Sequence, residues 1–143
     1  MNIELKAGVK IALATVVLMC FASCAKTPEE LMVGEWNTTH VTQRESSPDE
    51  EKEYDLIGYE NYHITFARDG LCRIVDRGVQ YVYEWYMVGD SRFILVDYLK
   101  VTQEFSIRQL DRKKLVYTYS FDYPRPSDSV TVSVLQTFEL ERE

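Results

Sequence analysis

Residues 79–96 read VQYVYEWYMVGDSRFILV, which is two apolar runs separated by the turn pair Gly89-Asp90. In the first run, large apolar side chains occupy every second position, and this period of two is typical of a strand with one buried face. The second run is apolar on both faces, so its outer face needs cover from an opening helical turn or from a partner. The stretch predicts an antiparallel hairpin.

The same features recur from Gly34 to the end of the sequence, where β-branched and aromatic residues alternate between turn signals. No long window keeps apolar residues at the helical spacing i, i+3, i+4 and i+7. We predict strands at 35–42, 62–66, 71–76, 79–88, 92–98, 102–110, 114–121 and 129–141.

Short turn sequences join these strands. Asp69-Gly70 is a strong hairpin signal, because both central residues of a type I′ turn have positive φ. Further connections are predicted at Arg77-Gly78, Gly89-Asp90, Asp111-Arg112-Lys113 and the proline-containing loop 123–128. Hairpins between neighbours in sequence give an up-and-down sheet, and eight strands suffice to close it. The predicted fold class is all-β: an eight-stranded antiparallel up-and-down barrel with a short N-terminal helical turn.

Side-chain alternation also assigns the inner face of the predicted barrel. This face is rich in aromatic residues, which can either line a ligand site or fill the space. The predicted interior consists of Ile64, Phe66, Tyr81, Tyr83, Trp85, Met87, Phe93, Leu95, Phe105, Ile107, Leu115, Tyr117, Tyr119, Val130, Val132, Val134, Phe138 and Leu140.

The first residues resemble a bacterial lipoprotein signal. Two lysines precede an apolar run at 11–22 that is shorter than the ~20 residues of a membrane-spanning helix. Phe21-Ala22-Ser23-Cys24 resembles a lipobox, although Cys20 and an ordinary signal peptide remain alternatives. The resemblance implies a signal peptide at 1–23, acyl chains such as palmitate on Cys24, and an anchor in the bacterial outer membrane on its periplasmic side or at the cell surface. The tether resembles those of Bacteroidetes lipoproteins.

The segment 24–33 is predicted to be this tether followed by a helical turn. Thr27-Pro28-Glu29-Glu30 fits a capping box with proline at the first helical position. The remaining residues, 34–143, form the predicted barrel domain. Once Cys20 has left with the signal and Cys24 carries lipid, Cys72 has no partner for an internal disulfide, and we expect it to be buried.

Gly34-Glu35-Trp36 resembles the Gly-x-Trp signature of lipocalins, and segments 64–70, 85–90 and 115–117 resemble the lipocalin-like domains of Bacteroidetes lipoproteins. The resemblance covers 31–143. It implies that Trp36 plugs the closed end of the barrel. The domain is shorter than a full lipocalin and has no predicted C-terminal helix. We therefore expect a shallow barrel whose own aromatic side chains can fill its cavity.

Composition and motifs argue against several classes of function. The chain of 143 residues has 16 basic and 23 acidic side chains and a formal net charge of -7, whereas nucleic-acid binding relies on Lys and Arg. Its two histidines, His40 and His63, belong to no hydrolase, zinc or nucleotide motif. Alternation places His40 on the face of Trp36 and Thr38. We predict no enzyme activity, no cofactor and no metal site.

The acidic run at 46–53 lies in the long first connection of the predicted barrel. We predict a solvated loop there. A lid over the barrel mouth and a weak cation site are the alternatives, although the run lacks the spacing of a calcium-binding loop.

Two functions are compatible with these features. In the first, the anchored barrel binds a small apolar or aromatic ligand through Trp36, Tyr81, Tyr83, Trp85, Tyr117 and Tyr119. In the second, the barrel is filled, and its surface or loops bind an envelope or host protein. The volume of the interior distinguishes the two.

Overall fold

The structure is a computed structural model, and it describes residues 25–143. The predictions of a signal peptide and of lipid on Cys24 concern residues outside this described range. The elements are α1 (Pro28–Met32), β1 (Gly34–Ser46), β2 (Glu51–Asp55), a 3₁₀ turn (Tyr59–Asn61), β3 (Tyr62–Phe66), β4 (Leu71–Asp76), β5 (Val79–Val88), β6 (Arg92–Val96), β7 (Thr102–Leu110), β8 (Lys114–Pro124) and β9 (Thr131–Arg142). α1 is too short to cross a membrane, and no other helix of the described residues could do so.

Eight of the strands form a closed antiparallel barrel. β1 pairs with β3, the strands from β3 to β9 pair in sequence order, and β9 returns to pair with β1. The predicted eight-stranded antiparallel barrel is therefore confirmed. β2 is an extra strand that pairs only with the second half of β1, from Thr42↔Asp55 to Ser46↔Glu51.

The prediction of a loop across the acidic run was wrong, because part of that run forms β2. Two of its carboxylates are paired with basic groups: Asp49 lies 3.0 Å from the Arg125 guanidinium, and Glu50 lies 3.0 Å from the Lys52 ammonium. The Arg125 contact holds the pKa of Asp49 below its ordinary value. The Asp49–Arg125 pair ties the tip of the β1–β2 hairpin to the β8–β9 loop.

β1 contains an irregularity that changes which residues face inward. Its register on β9 shifts between Thr38 and His40. Trp36 and Thr38 are buried before the shift and Val41 after it, so His40 projects outward. The predicted placement of His40 on the face of Trp36 was wrong, because one extra residue reverses the alternation.

Aromatic rings fill the middle of the barrel. Phe93 stacks on Phe105 at 4.8 Å between ring centroids, and Tyr117 stacks on Phe138 at 4.9 Å. The Phe93 ring meets the Tyr117 ring edge to face at 5.2 Å and so joins the two stacks. Burial raises the pKa of the Tyr117 hydroxyl well above its ordinary value. The inner faces of the strands thus pack on one another.

The closed end is formed by α1, Trp36 and the last strand. The predicted capping box is present: the Glu30 amide donates to Thr27 Oγ1 at 3.2 Å, and the Thr27 amide donates to Glu30 Oε2 at 2.8 Å. Trp36 is fully buried, and its Nε1 donates to the Met32 carbonyl at 2.9 Å. The Arg142 guanidinium lies over the indole, 4.2 Å from the ring centroid.

Gly34 makes this close approach possible. Its φ is +140°, which favours glycine, and the space that a Cβ would need is occupied by the Arg142 side chain.

The outer face of β6 was predicted to need cover from the opening helical turn. Among residues 25–143, however, the main strand contact of α1 is with β7 and not with β6. On this outer face, Ile94 lies between its two cross-strand neighbours, Tyr86 on β5 and Glu104 on β7.

Candidate functional site at the open end of the barrel

The connections between strands divide between two ends of the barrel. α1 lies at the closed end with the β3–β4, β5–β6 and β7–β8 turns, because strand direction alternates around the sheet. The β4–β5, β6–β7 and β8–β9 connections lie at the opposite, open end. The barrel wall is uneven at this open end.

The unevenness arises because β5 is longer than its neighbour β6. β6 ends at Val96, which pairs with Glu84, whereas β5 begins at Val79. Residues 79–83 pair with β4 on one side and have no strand partner on the other among the described residues. A recess of about 410 Å³, here called the rim notch, lies between this part of β5 and the β6–β7 turn; it is lined by Gln80, Tyr81, Val82, Tyr83, Asp97, Tyr98, Val101 and Gln103.

The rim notch exposes unpaired backbone groups. The Trp85 amide donates to the Gly70 carbonyl at 2.8 Å on the β4 side. Because backbone groups alternate in direction along a strand, those of Tyr81 and Tyr83 also face β4, and those of Gln80 and Val82 face the notch. Within residues 25–143, no hydrogen bond from a protein group reaches these amides and carbonyls of Gln80 and Val82.

A hydrogen-bonded turn holds apolar side chains beside this edge. The Asp97 carboxylate accepts hydrogen bonds from the amides of Leu99 at 2.8 Å and Val101 at 2.9 Å. Lys100 adopts a positive φ of 65°, and its ammonium lies 2.7 Å from Glu84 on β5. The turn presents three exposed apolar residues, since Tyr98 is 86%, Leu99 66% and Val101 56% exposed.

The six predicted ligand-binding residues are divided between different parts of the molecule. Trp36 and Trp85 are buried toward the closed end, where the Trp85 Nε1 donates to the Ala67 carbonyl at 2.9 Å. Tyr117 is buried in the ring cluster, and half-buried Tyr119 lies 5.2 Å from the Phe105 ring. The structure brings only Tyr81 and Tyr83 together at the rim notch.

Burial affects the two notch tyrosines differently. Tyr83 packs against the core, and burial raises the pKa of its hydroxyl. Tyr81 is about half exposed. The notch therefore has one tyrosine anchored in the core and one free to contact a ligand.

The sequence pattern does not identify the β6–β7 turn as part of a site. It predicts a strand that reaches Tyr98, whereas β6 ends at Val96. The segment Tyr98-Leu99-Lys100-Val101 is apolar for a turn, and this excess of apolar residues between two strands was the available signal.

Comparison of the chain with models of protein families, with curated protein sequences and with solved structures gives no match.

Proposed function

We propose that this protein is a lipid-anchored bacterial envelope protein with a lipocalin-like barrel, and that it binds an extended segment of a protein partner at the rim notch. The carrying observation is the unpaired edge of β5 beside an exposed apolar turn. This is the second of the two functions considered from the sequence, with the contact surface now assigned to the rim.

The packing of the interior favours a surface function. The rings of Phe93, Phe105, Tyr117 and Phe138 form one contiguous cluster with centroid distances of 4.8 to 5.4 Å. A ligand in the centre of the barrel would have to separate these contacts. Protein cores resist such separation, because they are packed as densely as organic crystals.

The unpaired backbone favours an extended peptide as the partner segment. In strand addition, a peptide pairs with the free edge of a sheet, and its side chains enter neighbouring pockets. Gln80 and Val82 offer two amides and two carbonyls at such an edge. Tyr81 and Tyr98 supply large contact surfaces that lose little conformational entropy when they bind.

The proposed anchor places the rim where a partner can reach it. The lipidated Cys24 would lie three residues before Thr27, the N-cap of α1, and α1 lies at the closed end. A lipid at this position would hold the closed end toward the bilayer. The rim notch would then point away from the membrane.

A small aromatic ligand bound in the rim notch is the second candidate function. Its support is the volume of about 410 Å³, which falls within the range of ~300–1,000 Å³ typical of small-molecule pockets. Such a ligand would stack on Tyr81 and Tyr98, and the interior cluster would remain intact.

Photo-crosslinking in intact cells distinguishes these candidates. A photoreactive phenylalanine analogue replaces Tyr98 in one variant and Tyr86 in the control, since Tyr86 is about half exposed on the outer wall of the same β5 that borders the notch. We expect a discrete protein adduct from position 98 and none from position 86. Equal adducts from both positions, or no protein adduct from position 98, would contradict partner binding at the rim. A small-molecule adduct there would favour the second candidate.

A further inference from the structure

Three ligand-type side chains converge on the outer wall near the closed end. Glu35 comes from β1, His63 from β3, and Glu143 directly follows β9. The Glu143 amide donates to the Glu35 carbonyl at 3.1 Å, which fixes the end of the chain beside β1. One imidazole nitrogen and one oxygen of each carboxylate lie within 4.8 Å of one another.

The geometry of His63 is suited to a cation at this position. Its Nδ1 lies 3.7 Å from Glu143 Oε2 and 2.8 Å from Asn37 Oδ1, and Asn37 is the residue directly opposite His63 on β1. Without an ion, Nδ1–H donates to Asn37 Oδ1, and a cation that binds Nδ1 would displace this proton and leave it on Nε2 or release it. One nitrogen and two carboxylate oxygens are therefore close together, with the Asn37 oxygen beside them.

The two carboxylates have no basic side chain to neutralise them. Within residues 25–143, no Lys or Arg forms an ion pair with Glu35 or Glu143. The nearby Arg142 turns away, because its guanidinium donates to the Arg112 and Val33 carbonyls at 2.8 and 2.9 Å. Two carboxylates held this close repel each other, and a divalent cation between them would relieve the repulsion.

The second histidine provides a useful contrast. His40 also contacts two carboxylates, but they lie at different ring nitrogens: Nε2 is 2.8 Å from Asp55, and Nδ1 is 3.1 Å from Glu139. The Lys114 ammonium is 3.3 Å from the same Glu139. These groups do not converge on one point, and a basic side chain is already present.

We propose that Glu35, His63 and Glu143, with Asn37 beside them, form a surface site for a divalent first-row transition cation, with Zn²⁺ as the representative ion. Imidazole and carboxylate are ligands that zinc accepts, and three protein donors leave a position open for water. The site would link β1, β3 and the end of β9, where the barrel closes. It is independent of partner binding at the rim.

Calorimetric titration with ZnCl₂ tests the proposal on the full-length protein, extracted in a non-ionic detergent, free of any histidine tag and stripped with EDTA. We expect one zinc ion per chain. His63→Ala and Glu35→Gln should each weaken binding at least about tenfold, because each removes one of three ligands. His40→Ala, which removes the other histidine, should bind as the wild type does.

Thermal unfolding provides the second readout. Zinc should raise the Tm of the wild type and of His40→Ala, and this shift should be lost in His63→Ala, since only binding to the folded state stabilises it. Absence of zinc binding by the wild type would overturn the proposal. So would unchanged binding in His63→Ala, or a loss in His40→Ala as large as that in His63→Ala.

Discussion

Trp36 connects three parts of the closed end. Its indole is fully buried, its Nε1 donates to Met32, and the Arg142 guanidinium covers its ring. We expect Trp36→Ala to lower the free energy of unfolding by about 3–5 kcal/mol, because a large cavity forms and the α1 carbonyl loses its donor. Urea unfolding followed by circular dichroism measures this change.

Trp36→Phe is the matched control for that prediction. It retains most of the ring and loses only the N–H group, so we expect a smaller loss of about 1–3 kcal/mol. If the midpoint of urea unfolding is the same for Trp36→Ala as for the wild type, the indole does not hold the closed end together.

His40 links β1 to β2 and β9 through its two ring nitrogens. The hydrogen bonds to Asp55 and then to Glu139 raise the pKa of His40 above its ordinary value of 6.5. The imidazolium therefore stabilises the fold fully below pH 6.5, and this contribution is lost as pH rises through the folded-state pKa.

The sequence could not predict that His40 pairs with Asp55 and Glu139, because the irregularity in β1 that turns His40 outward has no local signal in the sequence.

NMR titration of the imidazole protons measures this effect. We expect the pKa of His40 to lie above 6.5 in the wild type and to fall in Asp55→Asn, which removes the charge of the first partner. Asp76→Asn is the control, since Asp76 pairs with Arg77 and lies on another strand. A His40 pKa at or below 6.5 in the wild type would contradict the pairing.

At the scale of elements, local pattern located most strands. β3, β4, β5 and β7 begin and end where the alternation and the turn residues predict. The sequence pattern did not predict β2, because every residue of its sequence, EKEYD, is exposed and no buried face produces alternation. It is held instead by its pairing with β1 and by side-chain contacts across that hairpin, such as the Tyr54 hydroxyl donating to Glu45 at 2.6 Å.

The candidate site was only partly predictable for a related reason. Alternation predicts Tyr81 and Tyr83 on the inner face of β5; Tyr83 is half-buried against the core, whereas the prediction of Tyr81 as an interior residue was wrong, because Tyr81 is about half exposed at the rim. It could not show that β6 stops short of them, because the relative length of neighbouring strands depends on pairing rather than on local sequence. Alternation therefore predicts a single site from all six aromatic residues, although only these two reach the notch.

The free edge of β5 allows a selective test by proline substitution. Proline lacks the N–H group, and it is tolerated on a strand only where that group faces away from the sheet. Val82→Pro removes an amide that faces the notch, so we expect a change in Tm of less than about 5 °C and at least an approximately tenfold loss of the protein adduct at position 98. Val82→Thr retains the amide and should retain the adduct.

Tyr83→Pro is the structural counterpart of that variant. It removes an amide that faces β4, and we expect it to destabilise the barrel strongly. Retention of the adduct in a folded Val82→Pro protein would exclude strand addition at this edge.

At the scale of the whole molecule, the proposed anchor determines which way the barrel faces. We expect labelled palmitate to be incorporated into the wild type and into Cys20→Ser, but not into Cys24→Ser, because the lipobox resemblance assigns the acyl chains to Cys24. Labelling followed by gel analysis measures this. Label retained in Cys24→Ser would contradict an anchor three residues before Thr27, the N-cap of α1.

The central claim is that the barrel is filled and that binding occurs at its rim. A crystal structure of the mature protein purified from its own membranes tests this most directly. We predict Phe93 stacked on Phe105 and Tyr117 stacked on Phe138 at about the present distances of 4.8 and 4.9 Å, with no ligand density between them. A continuous inner cavity of ~300 Å³ or more, lined by these rings and holding density, would contradict the account and establish a small-ligand carrier.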